Sequence, residues 1–200
     1  PAPTVVLAVI DERSLEAEGR WPWPRSRIAA LVDALAKDGA KTIGFDITFA
    51  EPDQNARLAL VDDLARKVDS LNIKVPQLAE FIRESRIDAD NDRALARSLE
   101  RSTTPVVLGY FFHMSEADVG HKLDEAAIER QLAGIAESKY PLVIYADQAA
   151  AAVEFRKAYA PQGNLDIFTA VAASSGFFSV TSDPDGLVRW MPLMVQGGDD

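Results

Sequence analysis

The sequence contains no cysteine and only two histidines. The missing cysteines exclude disulfides, thiolate metal sites and cysteine nucleophiles. His113 and His121 have no partner at the spacing of metal ligands, which favours surface or ordinary hydrogen-bonding roles for both. The sequence also lacks an apolar run near the ~20 residues of a membrane-spanning helix, since its longest clear run covers 5–10. Without an initiator Met, and with its end at QGGDD, the chain is expected to be a soluble piece of a longer protein.

Basic residues are in the minority, with 21 Lys and Arg against 31 Asp and Glu, and the formal net charge is −10. A nucleic-acid-binding protein needs a basic stripe that displaces counterions from phosphates, and the sequence has none. The same acidity disfavours docking on an anionic membrane surface, which leaves small molecules, cations or proteins as ligands. With 48% hydrophobic and 26% charged residues, the composition is that of a folded globular domain.

Apolar runs alternate with segments of helical spacing in the first third of the chain. The aliphatic run over 4–11 is typical of a strand buried on both faces. Apolar positions from Ile28 to Leu35 predict an amphipathic helix that ends at Gly39. The run over 40–49 predicts a second strand. Strand, helix and strand in this order predict a parallel βαβ unit.

The rest of the chain predicts further helices and strands. Two helices separated before Pro76 are followed by one that begins after Asp88 or Asp90. A third strand covers 105–112, and a helix lies near 125–136. The turn residues of TSDPDG separate two apolar strands, GFFSV and LVRWMPLMV, which predicts a C-terminal antiparallel hairpin. The predicted fold is a single three-layer α/β domain over 1–200, with a mixed central sheet flanked by helices; the topology of 114–164 stays open.

Acidic residues follow the predicted strands. Asp11 and Asp46 lie near the carboxyl ends of the first two strands, where open α/β sheets bind ligands. Asp53, Asp92 and the acids of DPDG are able to converge on the same edge. Several carboxylates suit a hard cation such as Mg²⁺ or Ca²⁺, with Asp11 and Asp46 as its candidate ligands. The alternative is that these acids cap helices, hold turns and pair with arginines, and the frequency of Asp at caps and turns favours it.

The segment EGRWPWPRSR places two tryptophans and two prolines directly before the first long helix. One interpretation is a hydrophobic clasp in which Trp21 and Trp23 cover one end of the sheet while Pro24 sets the helix. The other is an aromatic wall beside a ligand site. The rigidity of paired prolines favours the clasp, which also delivers Arg25 to the acidic edge for a bidentate pair with a carboxylate.

Three stretches together resemble a known family: VIDERSLEAEGRWPWPRSRIAALVDALAKDGAKTIGFDITFAEPD, DADNDRALARSL and GFFSVTSDPDGLVRWMPLM. They are similar to the second class of CHASE domain, the cyclase and histidine-kinase associated sensory extracellular domain. The positions that match the family pattern are Asp11, Ser14, Gly19, Trp21, Pro22, Trp23, Pro24, Arg25, Asp46, Asp92, Asp185, Gly186 and Arg189.

The resemblance implies a non-catalytic periplasmic or extracellular sensor of an inner-membrane bacterial receptor, with a cyclase or a kinase as its output. The ligand is expected to be a small molecule or an ion of unknown identity. No cofactor is expected, although a divalent cation is compatible with the carboxylates. The candidate ligand-binding residues are Asp11, Arg25, Asp46, Asp92, Asp185, Arg189, Trp21 and Trp23.

Two rival functions remain open at this point. The first is a Mg²⁺-dependent hydrolase that uses the strand-end carboxylates to activate water. The second is a structural module that forms a homodimer through Trp21 and Trp23, because aromatic side chains are enriched at interfaces.

Overall fold

The chain divides into two compact units. The first comprises the chain up to Leu31 together with Asp53–Leu95, and the second comprises Val32–Pro52 together with the chain from Ala96 onward. The computed structural model describes residues 5–119, 123–140, 142–148, 152, 154–180 and 183–197. His121 lies outside these residues, and the prediction of one three-layer domain over 1–200 stays a prediction.

Helices make up most of the first unit, and two of them extend along the chain into the second. Pro76 occupies the first turn of α4, as the break before it predicts. The side chain of Asp90 accepts a hydrogen bond from the backbone N–H of Arg93 at 3.0 Å, which confirms it as a cap of α5. Gly39 has φ 89° just beyond α2. The helices are α1 (Glu12–Glu18), α2 (Arg25–Lys37), α3 (Ala56–Ser70), α4 (Pro76–Ala89) and α5 (Asn91–Arg101).

A mixed sheet organises the second unit around one central strand, β2 (Val106–His113). It pairs in parallel with β1 (Ile43–Gly44) and β5 (Ser174–Phe177), and antiparallel with β4 (Ala160–Gln162). The predicted α/β class with a mixed sheet is therefore confirmed. The unit also contains β3 (Lys157–Ala158), β6 (Gln196–Gly197), α6 (Glu125–Gly134), α7 (Asp166–Thr169) and 3₁₀ turns at Glu116–Val119 and Ala136–Ser138.

The core of the second unit is built from alternate residues of β2 and from paired aromatic rings. Leu108 and Tyr110 of this strand are buried. Phe49 and Phe168 are inaccessible to solvent and meet edge to face, with ring centroids 5.8 Å apart. Asn164 links β2 to the segment that carries Phe49. Its Nδ2 donates to the Gly109 carbonyl at 3.0 Å, and its Oδ1 accepts from the Phe49 backbone N–H at 2.7 Å.

The strand predicted over 4–11 is wrong for the residues that the structure describes. Residues 5–10 form no strand, and Val5 and Leu7 are 77% and 82% exposed. The predicted βαβ unit therefore lacks its first strand, and its second strand, predicted over 40–49, shortens to Ile43–Gly44. An aliphatic run favours a strand only where a neighbouring backbone pairs with it, and that partner is not encoded locally.

The predicted C-terminal antiparallel hairpin is also wrong over the described residues. The turn exists, since the Gly186 N–H donates to the Asp183 carbonyl at 2.8 Å. However, β5 pairs in parallel with β2, and residues 187–195 form no strand. Turn residues specify a local reversal of the chain, whereas the ladder depends on which distant strand is available.

The close approach at Gly109 provides a stability test. A Cβ at this position would lie 2.3 Å from the Phe45 carbonyl oxygen and 2.8 Å from the Phe178 ring. Gly109→Ala should therefore lower the free energy of unfolding by about 1–3 kcal/mol through overpacking. Gly44→Ala, on the adjacent strand, meets no atom within 4 Å and should change it by less than about 0.5 kcal/mol. Urea denaturation of both variants checks the difference, and equal midpoints would contradict the packing described.

Candidate functional site

Four polar residues converge in the first unit, where α2 and α5 begin: Arg25, Asp53, Asn91 and Asp92, here called the polar cluster. The Asp53 Oδ2 accepts a hydrogen bond from the Arg25 backbone N–H at 3.1 Å and another from the Asn91 Nδ2 at 2.7 Å. The Asp53 backbone N–H donates in turn to the Asp92 Oδ2 at 3.0 Å. One turn of chain at Asp53 is thus bonded to the starts of two helices.

Helix-end chemistry explains why acids occupy these positions. The first N–H groups of a helix have no partner inside the helix, and a carboxylate satisfies them while complementing the positive end of the helix dipole. Asp53 does this for α2 from a distant part of the chain. Asp92 lies in the first turn of α5. The interpretation of these acids as helix-start residues is therefore supported by their contacts.

The polar cluster also contains a largely buried ion pair. The Arg25 Nε lies 3.9 Å from the Asp92 Oδ1, and the two side chains are only 11% and 17% exposed. Among the described residues, the Asp92 Oδ1 accepts no hydrogen bond. The pair is thus held by charge at a distance beyond hydrogen bonding, which leaves the carboxylate oxygen able to accept a donor from a ligand.

Burial raises the pKa of Asp92 above its ordinary value of 3.8. The hydrogen bond from the Asp53 backbone and the charge of Arg25 oppose this shift, while the negative charges of Asp53 and Asp90 add to it. The protonation of Asp92 is therefore set by its burial and by the charged groups around it.

The two tryptophans precede the polar cluster along the chain and differ in burial. Trp23 is 9% exposed, and its Nε1 donates to the Gly19 carbonyl at 2.8 Å. Trp21 is 39% exposed and packs edge to face on Trp23, with ring centroids 5.9 Å apart. Trp23 is therefore a packed anchor just before Arg25, whereas Trp21 presents part of its ring to solvent.

Two of the predicted site residues have other surroundings. Asp11 caps α1, where it accepts hydrogen bonds from the backbone and hydroxyl of Ser14 at 2.9 and 2.8 Å. These bonds hold the pKa of Asp11 below its usual value. Asp46 belongs to the second unit and is exposed beyond the end of β1. Within the described residues no group of three His, Cys, Asp or Glu side chains is placed to hold a metal ion.

Asp185 and Arg189 form a separate ion-paired turn in the second unit. The Arg189 guanidinium contacts the Asp183 and Asp185 carboxylates, each at 2.7 Å. Hydrogen bonds from Arg189 lower the pKa of Asp185 and raise the pKa of Arg189 itself. The side chains of Asp183, Asp185 and Arg189 are 33%, 53% and 49% exposed. Ion pairs this open to solvent hold the turn and add little stability.

Asn91 is the cluster residue that the sequence reasoning missed. Its amide donates to the Asp53 carboxylate at 2.7 Å, a contact 38 positions apart in sequence. The signal available was an amide side chain within DADND, beside the acid that was selected. Asp53, by contrast, is one of the acids that the sequence predicts to converge.

Comparison with known proteins identifies one family. A family model described as CHASE2 domain matches residues 1–198, a range that includes all the residues discussed above. No curated protein and no solved structure matches the chain.

The raised pKa of Asp92 predicts a distinctive pH dependence. The folded protein binds a proton at Asp92 at a higher pH than the unfolded chain does, so protonation stabilises the fold as the pH falls from 7 towards 3.8. Relative to Asp92→Asn, the wild type should therefore gain free energy of unfolding across this range. Urea denaturation of both proteins at pH 7, 5.5 and 4 measures the difference. A wild-type protein that loses stability relative to the variant on acidification would contradict the assignment.

Proposed function

Because the chain belongs to the CHASE2 domain family, we propose that it is the ligand-sensing part of a bacterial transmembrane receptor with a cyclase or kinase output. CHASE2 domains are extracellular sensory domains of receptors, and the family model spans almost the whole chain. This match is the observation that carries the proposal. The periplasmic face of the inner membrane is the location it favours.

None of the helices in the described parts of the chain is both long enough and apolar enough to cross a membrane.

Within the proposed sensor, the polar cluster is the site through which binding acts on structure. A ligand shifts a two-state equilibrium only by its different affinity for the two states. A ligand group that bonds to the Asp92 Oδ1 competes with Arg25 for the same carboxylate, whose other oxygen holds the Asp53 backbone. Binding and the geometry of the two helix starts are therefore coupled through one carboxylate. The domain binds its ligand without transforming it.

The intact receptor provides the test of this site. Arg25→Ala removes the charge facing Asp92 and should change the basal output activity by at least about 5-fold, the lower end of typical allosteric couplings. Arg66→Ala is the matched control, because Arg66 is an exposed arginine paired only with its helix neighbour Asp63 in the described contacts. Membrane abundance and protease resistance of each variant establish that it folds. Wild-type output from a folded Arg25→Ala receptor would remove the cluster from the proposed mechanism.

The parent gene tests the wider proposal. Apolar segments of ~20 residues encoded before Pro1 and after Asp200, followed by a cyclase or kinase domain, are the expected result. A reading frame that encodes neither apolar segments of this length nor a cyclase or kinase domain would contradict the receptor assignment.

A further inference from the structure

An aromatic cavity lies wholly within the second unit and has no part in the polar cluster. Its volume is about 580 Å³, within the range of small-molecule sites. Three of the four tyrosines of the chain line it, together with three phenylalanines. The rings are those of Tyr110, Phe112, Tyr140, Tyr145, Phe155 and Phe177.

The inner wall of this aromatic cavity is preformed by paired strands. Tyr110 and Phe177 are direct partners in the parallel ladder of β2 and β5. Phe112 meets both rings, at centroid distances of 5.5 Å from each. Tyr110 and Phe112 are 3% and 8% exposed, and Ile135 packs with them. Because these side chains are fixed by the sheet, a ligand does not have to order them on binding.

The outer wall exposes large rings to solvent. Tyr140 and Tyr145 are 64% and 43% exposed. The Tyr145 ring lies against Phe155 with a centroid distance of 6.4 Å. Tyrosines of this kind offer an apolar face and a hydroxyl group, the combination that stacks on a planar ligand and bonds to its edge.

The polar lining sets the charge of the ligand. Lys139, Lys157 and Glu154 line the cavity, so positive groups outnumber negative ones there, in a chain whose net charge is −10. The local excess of ammonium groups disfavours a cationic ligand, although aromatic cages commonly bind cations. Ser138 supplies a hydroxyl whose oxygen lies 2.6 Å from the Ser175 Oγ. Burial raises the pKa of Tyr110, so its phenol stays neutral at physiological pH.

We infer that the aromatic cavity binds a small aromatic carboxylate, with its ring between the Phe112–Phe177 wall and the exposed tyrosines, and its carboxylate towards Lys157. This inference deepens the proposed sensory function, and it rests on that function only for the consequence of binding. Binding itself is a property of the chain.

Isothermal titration of the purified chain tests the inference with three probes of one shape: 2-naphthoate, 2-naphthylmethanol and 2-naphthylmethylamine. The naphthoate should bind at least ~10-fold more tightly than the neutral alcohol, because a charge-assisted hydrogen bond contributes about that factor in affinity. The amine should bind more weakly than both, because its positive charge faces the lysines of the lining. Equal affinity of the three probes, or no binding of naphthoate at millimolar concentration, would overturn the inference.

Two substitutions locate the bound probe. Lys157→Gln should weaken naphthoate at least ~5-fold and leave the alcohol unchanged, whereas Lys41→Gln, the same change at an exposed lysine outside the cavity lining, should alter neither. Tyr140→Ala should weaken both probes, and its exposed position makes a folding defect unexpected. An unchanged naphthoate affinity in Lys157→Gln would overturn the inference. A receptor that still depends on Arg25 while its chain binds no naphthoate would leave the sensory function standing.

Discussion

The Asp53 carboxylate is the constraint on which the first unit depends. This carboxylate accepts hydrogen bonds from the backbone N–H of Arg25, 28 positions away, and from the amide of Asn91, 38 positions away. The backbone N–H of Asp53 donates in turn to the Asp92 carboxylate. Each of these groups lies at or near a helix start, where backbone donors lack partners inside the helix. The packed Trp23 lies two positions before Arg25, so the aromatic segment leads into this network along the chain. The Arg25–Asp92 ion pair, the feature proposed to respond to ligand, exists because this network brings the two helix starts together.

The elements that the sequence predicted well are those with local causes. The helix over Ile28–Leu35, the break before Pro76 and the cap at Asp90 all depend on residues within one or two turns. The strands predicted over 4–11 and 187–195 are wrong over the described residues, because an apolar run does not specify the backbone with which it pairs. The sequence predicts the central strand β2 because its apolar run is long. Its parallel pairing with Ser174–Phe177 depends on the whole sheet, which no local pattern encodes.

The candidate sites also differ in whether local sequence or the whole fold determines them. Arg25 and Asp92 were selected as members of one site, and the structure brings them together. Asp11 instead caps its own helix, a role visible in the spacing to Ser14. The aromatic cavity escaped the sequence because its walls come from rings spread between Tyr110 and Phe177, with no shared motif. The chain thus combines a polar cluster, of which only Arg25 and Asp92 match the family pattern, with a cavity that only the fold assembles.

The most direct test of this account is the free energy of unfolding of Asp53→Ala compared with Asp63→Ala. The account predicts a loss of about 1–3 kcal/mol for Asp53→Ala, because a backbone donor and an amide lose their acceptor inside the protein. Asp63 is an exposed member of a surface ion pair, and its loss should cost less than about 1 kcal/mol. Equal, small losses for the two variants would contradict the claim that Asp53 holds the first unit together.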